Sequence, residues 1–340
     1  MPKPTLKSLA AELQVDVSLV SRVLRRVPGV RVSEAKRARI LALAERAGYR
    51  PDRLGRSLKT GHSRIVAMLT PDITNPFHSL IFRGAEHVAQ QAGYNVILMH
   101  LSDVDESGAD AVTPLTEGQC DGVLIAAGRA DDDRFAPLRR AHLPHVVINR
   151  PIDGGRDTPC FAPDDRETGR LGARLLLQAG HARVAAILGD MRLANMQARL
   201  EGFREIVDAA APRVETTVVT DVRSREEVLA AFDRLMGPPA GRRPTALFVP
   251  HSIHAQLVFE ASLLREIRIP QQLSLLGYGG VAPPALSAIV VSAEQMGRDA
   301  MRYLLARIQA PGDAAVAQTG PGAYPLTFSP GCTLRPPAEA

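Results

Sequence analysis

Two sets of residues in this 340-residue chain carry types and spacings that can do chemistry. The first is Val17, Ser18, Ser21 and Arg22, clustered at about one-turn spacing in a short helical stretch. An arginine there can bond guanine through both O6 and N7, a serine suits a phosphate, and a valine can touch a thymine methyl. The second is a scatter of cationic and imidazole side chains further along: His78, Arg150, Arg199, His251, and Arg223 or Arg225. Brought together they favour a carboxylate or phosphate ligand, although arginines also serve as surface or interdomain ion pairs. His251 and His254, three apart just past a β-rich run, can line a cleft or act as solvated or capping histidines.

The elements that must hold the first set are three helices in residues 5–47. Thr5 can cap a helix carrying Leu6, Leu9, Ala10 and Leu13, and Asp16 one carrying Val17, Leu19, Val20, Val23 and Leu24. Ser33 can cap a third, carrying Ile40, Leu41, Leu43, Ala44 and Ala47 and ending at Gly48. Only Gln14 to Asp16 separate the first two, which fits a helix-turn-helix whose second helix enters the major groove. Leu19, Val20, Val23 and Leu24 follow the buried stripe, and Arg25 and Arg26 offset the helix dipole. Charge agrees: residues 1–60 hold 14 Lys/Arg against 5 Asp/Glu, whereas the rest hold 27 against 31. A basic segment with folded-domain patterning points to a polyanion. In the stretch 49–61, Asp52 can cap a single helical turn that Gly55 weakens by about 1 kcal/mol relative to alanine, so it folds only when docked. Leu58, between Arg56 and Lys59, is either an ordinary contact with the downstream region or a wedge between base steps of the minor groove.

Thr5-Leu6-Lys7-Ser8-Leu9-Ala10, Val15, Val20-Ser21-Arg22-Val23-Leu24, Gly48-Tyr49-Arg50-Pro51 and Arg56-Ser57-Leu58 resemble the headpiece and hinge of the lactose-repressor (LacI/GalR) family of bacterial transcription regulators. The resemblance runs through the whole chain. It implies a cytoplasmic, DNA-binding repressor that grips a palindromic operator as a homodimer, with paired hinge helices entering the minor groove and Leu58 as wedge. DNA contacts implied in this way are Thr5, Val17, Ser18, Ser21, Arg22, Tyr49, Arg53, Arg56, Leu58 and Lys59. Asp52 and Gly55 depart from the asparagine and alanine usual in the family.

From Arg64 on, β-rich runs alternate with helical stretches: Ile65 to Leu69, Val96 to Met99, Val123 to Ala126, Val146 to Ile148, Val184 to Leu188, Val218 to Val219, Ala246 to Val249 and Leu273 to Leu276. Such alternation indicates doubly wound parallel sheets, and about eight units exceed one ordinary sheet. Two α/β subdomains with a ligand cleft at the strand C-terminal ends are therefore expected. Pro71-Asp72-Ile73-Thr74-Asn75-Pro76-Phe77, Gly180-His181, Arg199-Leu200-Glu201-Gly202-Phe203 and Met296-Gly297 resemble the same family's effector domain, which is similar to periplasmic sugar-binding proteins. The implied division is a helix-turn-helix domain at 1–48, a hinge at 49–61 and an effector and dimerisation domain at 62–335. Within the last, an N-subdomain spans about 62–162 and 291–325, and a C-subdomain about 163–290 and 326–335. Implied effector contacts are Asn75, Phe77, His78, Asn149, Arg150, Arg199, His251 and Tyr278, with Arg199 on the family's effector arginine.

The cleft also departs from the family. Sugar-binding members carry an acid near Asn149, an Asn-Asp pair at His251-Ser252, an Asp-Asp pair at Gly279-Gly280 and often an aromatic near Val222. Carboxylates bond sugar hydroxyls and aromatics stack on sugar faces, so the expected effector is an anion of sugar-acid or organic-acid type, which Arg199 would meet with a two-bond fork. A neutral-carbohydrate effector and a solute-binding module without regulatory output are the alternatives; the absent export signal and the basic headpiece oppose the module.

No GxGxxG after a strand, GxxxxGK[ST], GxSxG or HExxH occurs, and the expectation is no enzyme, no cofactor and no metal. Gly277-Tyr278-Gly279-Gly280 reads as a turn after a strand. No window approaches about 18 uninterrupted apolar residues, so no membrane partner is expected. Cys120, Cys160 and Cys332 read as buried thiols of a reducing compartment. No heptad tail follows Pro336, so no tetramerisation helix is expected.

Overall fold

The computed structural model describes residues 4–24, 27, 29–49, 61–101, 112–129, 132–152, 158–280, 285–310 and 324–337. The chain divides into two compact units, Met1–Gly61 and His62–Ala340. In the first, α1 (Leu6–Leu13) starts at a capping box: Thr5 Oγ1 accepts from Ser8 N–H at 3.1 Å, and Thr5 N–H donates back to Ser8 Oγ at 2.9 Å. The second helix, α2 (Val17–Leu24), follows Asp16, whose carboxylate accepts from Ser18 N–H at 2.7 Å; hydrogen bonding from the Ser18 side chain and then from its N–H holds the Asp16 carboxyl below its ordinary pKa. Ser33 caps α3 (Glu34–Arg46), and Gly48 follows in a left-handed conformation at φ 62°. The three helices bury Leu9, Ala10, Val20, Val23, Ile40, Leu43 and Ala44 against one another. Leu41, expected on the buried stripe of α3, is exposed because 100° per residue carries it off the face set by Ile40, Leu43 and Ala44. Ala47, also expected there, continues that face but is exposed as the C-cap, past the last turn of the helix.

The second unit holds two sheets. The five-stranded sheet is parallel, in the order β2-β1-β3-β4-β5, from β1 (Ile65–Thr70), β2 (Asn95–His100), β3 (Gly122–Ile125), β4 (His145–Ile148) and β5 (Cys160–Phe161). The six-stranded sheet runs β11-β10-β9-β8-β6-β7, from β6 (Arg183–Ile187), β7 (Glu215–Val219), β8 (Ala246–Val249), β9 (Ser274–Gly279), β10 (Ser287–Val291) and β11 (Leu326–Ser329), with only β11 antiparallel. Its helices include α4 (Pro76–Gln91), α5 (Ala136–Arg140), α6 (Asp165–Gln178), α7 (Ala194–Ala209), α8 (Arg225–Met236), α9 (Ser252–Leu264) and α10 (Ala293–Gln309). Among the described residues no helix is long and apolar enough to cross a membrane.

Two helix pairs, α4 with α10 and α6 with α7, approach at backbone distance. A Cβ on Gly84 would lie 2.0 Å from Glu294 O, and one on Gly297 2.0 Å from Ile81 O. In the second pair a Cβ on Gly169 would lie 2.0 Å from Arg199 O, and one on Gly202 1.9 Å from Arg166 O. Gly202 and Gly297 thus hold helix crossings, Phe203 stacks on Phe248, and His181 bonds Thr245 and the Arg335 carbonyl.

The structure corrects several sequence expectations. Strands β5, β10 and β11 were not expected; β5 has two residues, and β11 is a half-exposed edge. Gly277, Tyr278 and Gly279 form no turn but continue β9, paired with Ala288, Ile289 and Val290 of β10. A Cβ at 277 would sit 2.9 Å from Leu286 Cδ2, so a larger residue there would have to push that side chain aside. Of the cysteines Cys120 is buried, whereas Cys160 is half-buried and Cys332 exposed.

Candidate functional sites

On α2 the buried valines point inward and the opposite face is left to solvent. Val17 is 39% exposed, Ser18 and Arg22 are exposed, and Ser21 is half-buried. The Arg22 guanidinium lies back along its own helix, reaching Ser18 O and Ser18 Oγ at 3.4 Å. These bonds are long enough to exchange for a base edge. Thr5 is exposed at the start of α1, while Tyr49 is half-buried against the three-helix core. Arg53, Arg56, Leu58 and Lys59 lie outside the described residues.

In the second unit a cavity of about 500 Å³ opens at the C-terminal ends of strands from both sheets. All eight effector candidates line it: Asn75, Phe77 and His78 come from the start of α4, Asn149 and Arg150 from the end of β4, Arg199 from α7, His251 from the start of α9 and Tyr278 from β9. Local structure fixes several of them. Asn75 caps α4, its Oδ1 accepting from Phe77 N–H and from Ser252 O–H, both at 3.0 Å. Asn149 sits at φ 79°, a left-handed position that asparagine tolerates. Arg150 is buried and donates from Nε to Gly128 O at 2.9 Å. His251 caps α9, its Nδ1 accepting from His254 N–H at 3.4 Å.

Arg199 is the most constrained. It is 2% exposed, its Nε and one terminal nitrogen reach Asp165 Oδ1 at 2.8 and 2.7 Å, and its other terminal nitrogen donates to Pro250 O at 2.6 Å. Its guanidinium carbon lies 3.9 Å from the centroid of the Tyr278 ring. The fork expected to grip an effector is therefore held by Asp165, because a guanidinium buried this deeply needs a counter-ion within the fold. Burial pushes the Asp165 carboxyl up to about 6, against the pull of Arg199. Sequence reasoning missed Asp165: it stands 34 positions before Arg199 and opens a different helix.

Arg223 and Arg225 sit at the rim in ion pairs, Arg223 with Asp221 at 3.0 Å and Asp190 at 3.4 Å, and Arg225 with Glu260 at 3.3 Å. Burial, reinforced by Arg150, pushes the His78 imidazole down to about 4; burial also takes His254 to about 4. His251 is held well below its ordinary value by burial, with His254 and Arg199 adding to it. All three are neutral at pH 7. Burial raises the Tyr278 hydroxyl, which stays protonated. Among the described residues four buried side-chain polar atoms have no hydrogen-bond partner, and three of them belong to cavity residues: His78 Nδ1, His254 Nδ1 and Tyr278 OH. Such atoms are destabilising unless something meets them. Of the positions at which the resemblance implies sugar contacts, Asn149, His251 and Ser252 line the cavity, whereas Val222, Gly279 and Gly280 do not: Val222 is buried in the core beside β7 and β8, and a Cβ on Gly280 would lie 2.7 Å from Leu80 Cδ1.

Residues 63–240 match the family described as periplasmic binding proteins and sugar binding domain of LacI family, and residues 173–323 match a periplasmic binding protein-like domain. The catabolite control protein A of Priestia megaterium is 25% identical over 307 residues, covering 88% of this chain and 91% of that protein. The ribose operon repressor of Escherichia coli K12 is 28% identical over 317 residues, covering 90% and 94%. Among solved structures, the lac repressor dimer bound to operator and an anti-inducer superposes with a TM-score of 0.80 over 98% of this chain and 100% of that one, at 20% identity.

Proposed function

Because the chain belongs to the LacI family of transcriptional regulators, we propose that it is a repressor that binds a palindromic operator as a homodimer and is controlled by a small anionic metabolite held in the cavity of the second unit. Residues 1–48 would be the DNA-binding domain, 49–61 the hinge and 62–335 the effector-binding and dimerisation domain. Acting on DNA, it would work in the cytoplasm. The outer edge strand β2, with Ile97 38% and Leu98 43% exposed, supports pairing of two copies.

One observation carries the anionic reading. Arg150, Arg199, Arg223 and Arg225 line the cavity, whereas Asp72 is the one acid that does so among the described residues. The acids balancing three of those arginines, Asp165, Asp190, Asp221 and Glu260, stand outside the lining. An anion binding there favours one arrangement of the two sheets over another, and the equilibrium on DNA shifts by that difference in affinity.

Fluorescence anisotropy with labelled operator DNA tests the first part. If a dimer meets about eight phosphates, log affinity should fall with log salt at a slope near −7. Full operator affinity after deletion of residues 1–60 would overturn the assignment. Release of the operator by a neutral hexose, with acids inert, would overturn the anionic part.

A further inference from the structure

We infer that the effector is an anion with an apolar, hydroxyl-free body, a carboxylate or phosphate head on hydrocarbon rather than a sugar acid or sugar phosphate. This deepens the reading of the cavity as the effector site and rests on it. The polar groups of the cavity wall differ in what their existing hydrogen bonds leave free for a ligand. Asn75 Oδ1 is occupied by Phe77 N–H and Ser252 O–H, so the end of this amide left for a ligand is its NH₂. Asn195 is fixed in the same way: its Oδ1 accepts from Met196 N–H at 3.0 Å. His251 accepts through Nδ1, which leaves Nε2 as the protonated nitrogen of a neutral ring. Tyr278 keeps its proton and its hydroxyl has no partner. Asp72, the one carboxylate of the lining among the described residues, already accepts through Oδ1 from Thr74 N–H at 2.8 Å and Thr74 O–H at 2.6 Å.

Among the groups whose hydrogen bonds or protonation fix their role, Asn75, Asn195, His251 and Tyr278 thus offer donors and Asp72 alone offers a carboxylate. The neutral rings of His78 and His254 each add one donor and one acceptor nitrogen and so leave that balance unchanged. Each hydroxyl of a polyol brings a hydrogen that must find an acceptor, and burying it without one is unfavourable. A carboxylate or phosphate dianion brings acceptors only. Another part of the lining favours an apolar body: Leu193, Met196, Ile253, Leu257 and Phe77 are hydrocarbon side chains with no group for a hydroxyl to bond.

Isothermal titration calorimetry on the full chain tests this with pairs that share a head and differ in body: 4-methylpentanoate against gluconate, phenyl phosphate against glucose 6-phosphate, and glucose alone. In at least one pair the hydroxyl-free member should bind with a Kd below about 1 mM and at least tenfold tighter than its polyhydroxylated partner. The pair that responds identifies the head. A sugar acid or sugar phosphate binding as tightly as its partner would overturn the hydroxyl-free body while leaving the anionic reading intact. Glucose binding tighter than every acid would overturn both, and no binding by any acid at about 10 mM would also overturn the inference. Asn195→Asp keeps an acceptor for Met196 N–H but removes the amide donor, and should weaken the favoured acid at least tenfold. Unchanged affinity in a variant whose melting temperature matches the parent would overturn the role given to this donor.

Discussion

The two units use their functional side chains in opposite ways. In the headpiece the groups that face outward from α2 are not the groups that hold the fold: Val20 and Val23 are buried, Val17, Ser18 and Arg22 are exposed, and the hydrogen bonds of Arg22 among the described residues are 3.4 Å contacts to its own helix. In the cavity the same side chain does both. Arg199 lines the site and pairs with Asp165, Asn75 lines it and caps α4, and His251 lines it and caps α9. Recognition and stability should therefore be separable in the first unit and entangled in the second.

Replacing Arg199 is the harshest test of that contrast. Arg199→Ala leaves Asp165 buried without a counter-ion and Pro250 O without its donor, so thermal unfolding should report a loss of about 3–5 kcal/mol. The double change Asp165→Asn with Arg199→Met should recover much of it, since the uncompensated charge is gone. A single variant as stable as the parent would show that the pair belongs to the site alone.

Acid should strain the cavity next. His78 and His254 hold pKa values of about 4 in the folded chain against 6.5 ordinarily, so as pH falls the unfolded chain takes up protons first. The stability these groups leave intact above pH 6.5 is then lost between 6.5 and 4. His251, held well below its ordinary value, adds to that loss, while Asp165, raised to about 6 from 3.8, runs the other way and offsets roughly one histidine, leaving a net loss of at least about 3 kcal/mol from pH 7 to 4.5. Urea denaturation across that range measures it, and the double change His78→Asn with His254→Asn should flatten the slope. Gly169→Ala ranks third: its Cβ would lie 2.0 Å from Arg199 O, and forcing α6 from α7 should lower stability by about 1–3 kcal/mol. Effector affinity should fall with it, because that crossing sets where Arg199 sits. A loss of stability with unchanged affinity would separate the two.

The same contrast explains what could be read from sequence. The helix starts at Thr5, Asp16 and Ser33 were legible because capping is a local interaction of residues two or three apart. Eight of the strands announced themselves as apolar β-rich runs, two-residue β5 and half-exposed β11 carry too little pattern, and β10 was not expected although Ala288 to Val291 is an apolar run of the same kind. The positions that converge on the cavity followed from a family resemblance. Their chemistry did not, since it depends on partners distant in the chain: Asp165 for Arg199, Ser252 for Asn75, Asp190 for Arg223. A count of arginines could not show which were already paired.

Returning to the headpiece, Arg22→Ala should weaken operator binding by about 1–3 kcal/mol and relax discrimination at one base pair per half-site, while melting of the unit stays put. A uniform loss over all DNA sequences would make Arg22 a phosphate contact. A fall in melting temperature would break the separability itself, since its contacts within the unit are weak.

Thr5 is where that separability should fail, by the smallest margin. It is exposed at the start of α1 and is one of the residues proposed to touch DNA, yet its Oγ1 accepts from Ser8 N–H and its own N–H donates to Ser8 Oγ. Thr5→Ala removes one half of this capping box and should lower headpiece stability by about 1 kcal/mol. Operator affinity would then fall for two reasons, a looser α1 and a lost hydroxyl contact, and Thr5→Ser tells them apart. Serine restores both the cap and a hydroxyl, so it should recover stability and binding together. Thr5→Gly, a cap that costs only a few tenths of a kcal/mol but offers no hydroxyl, should keep the fold and still bind DNA weakly. If Thr5→Gly instead binds operator as well as the parent, Thr5 acts through its helix alone.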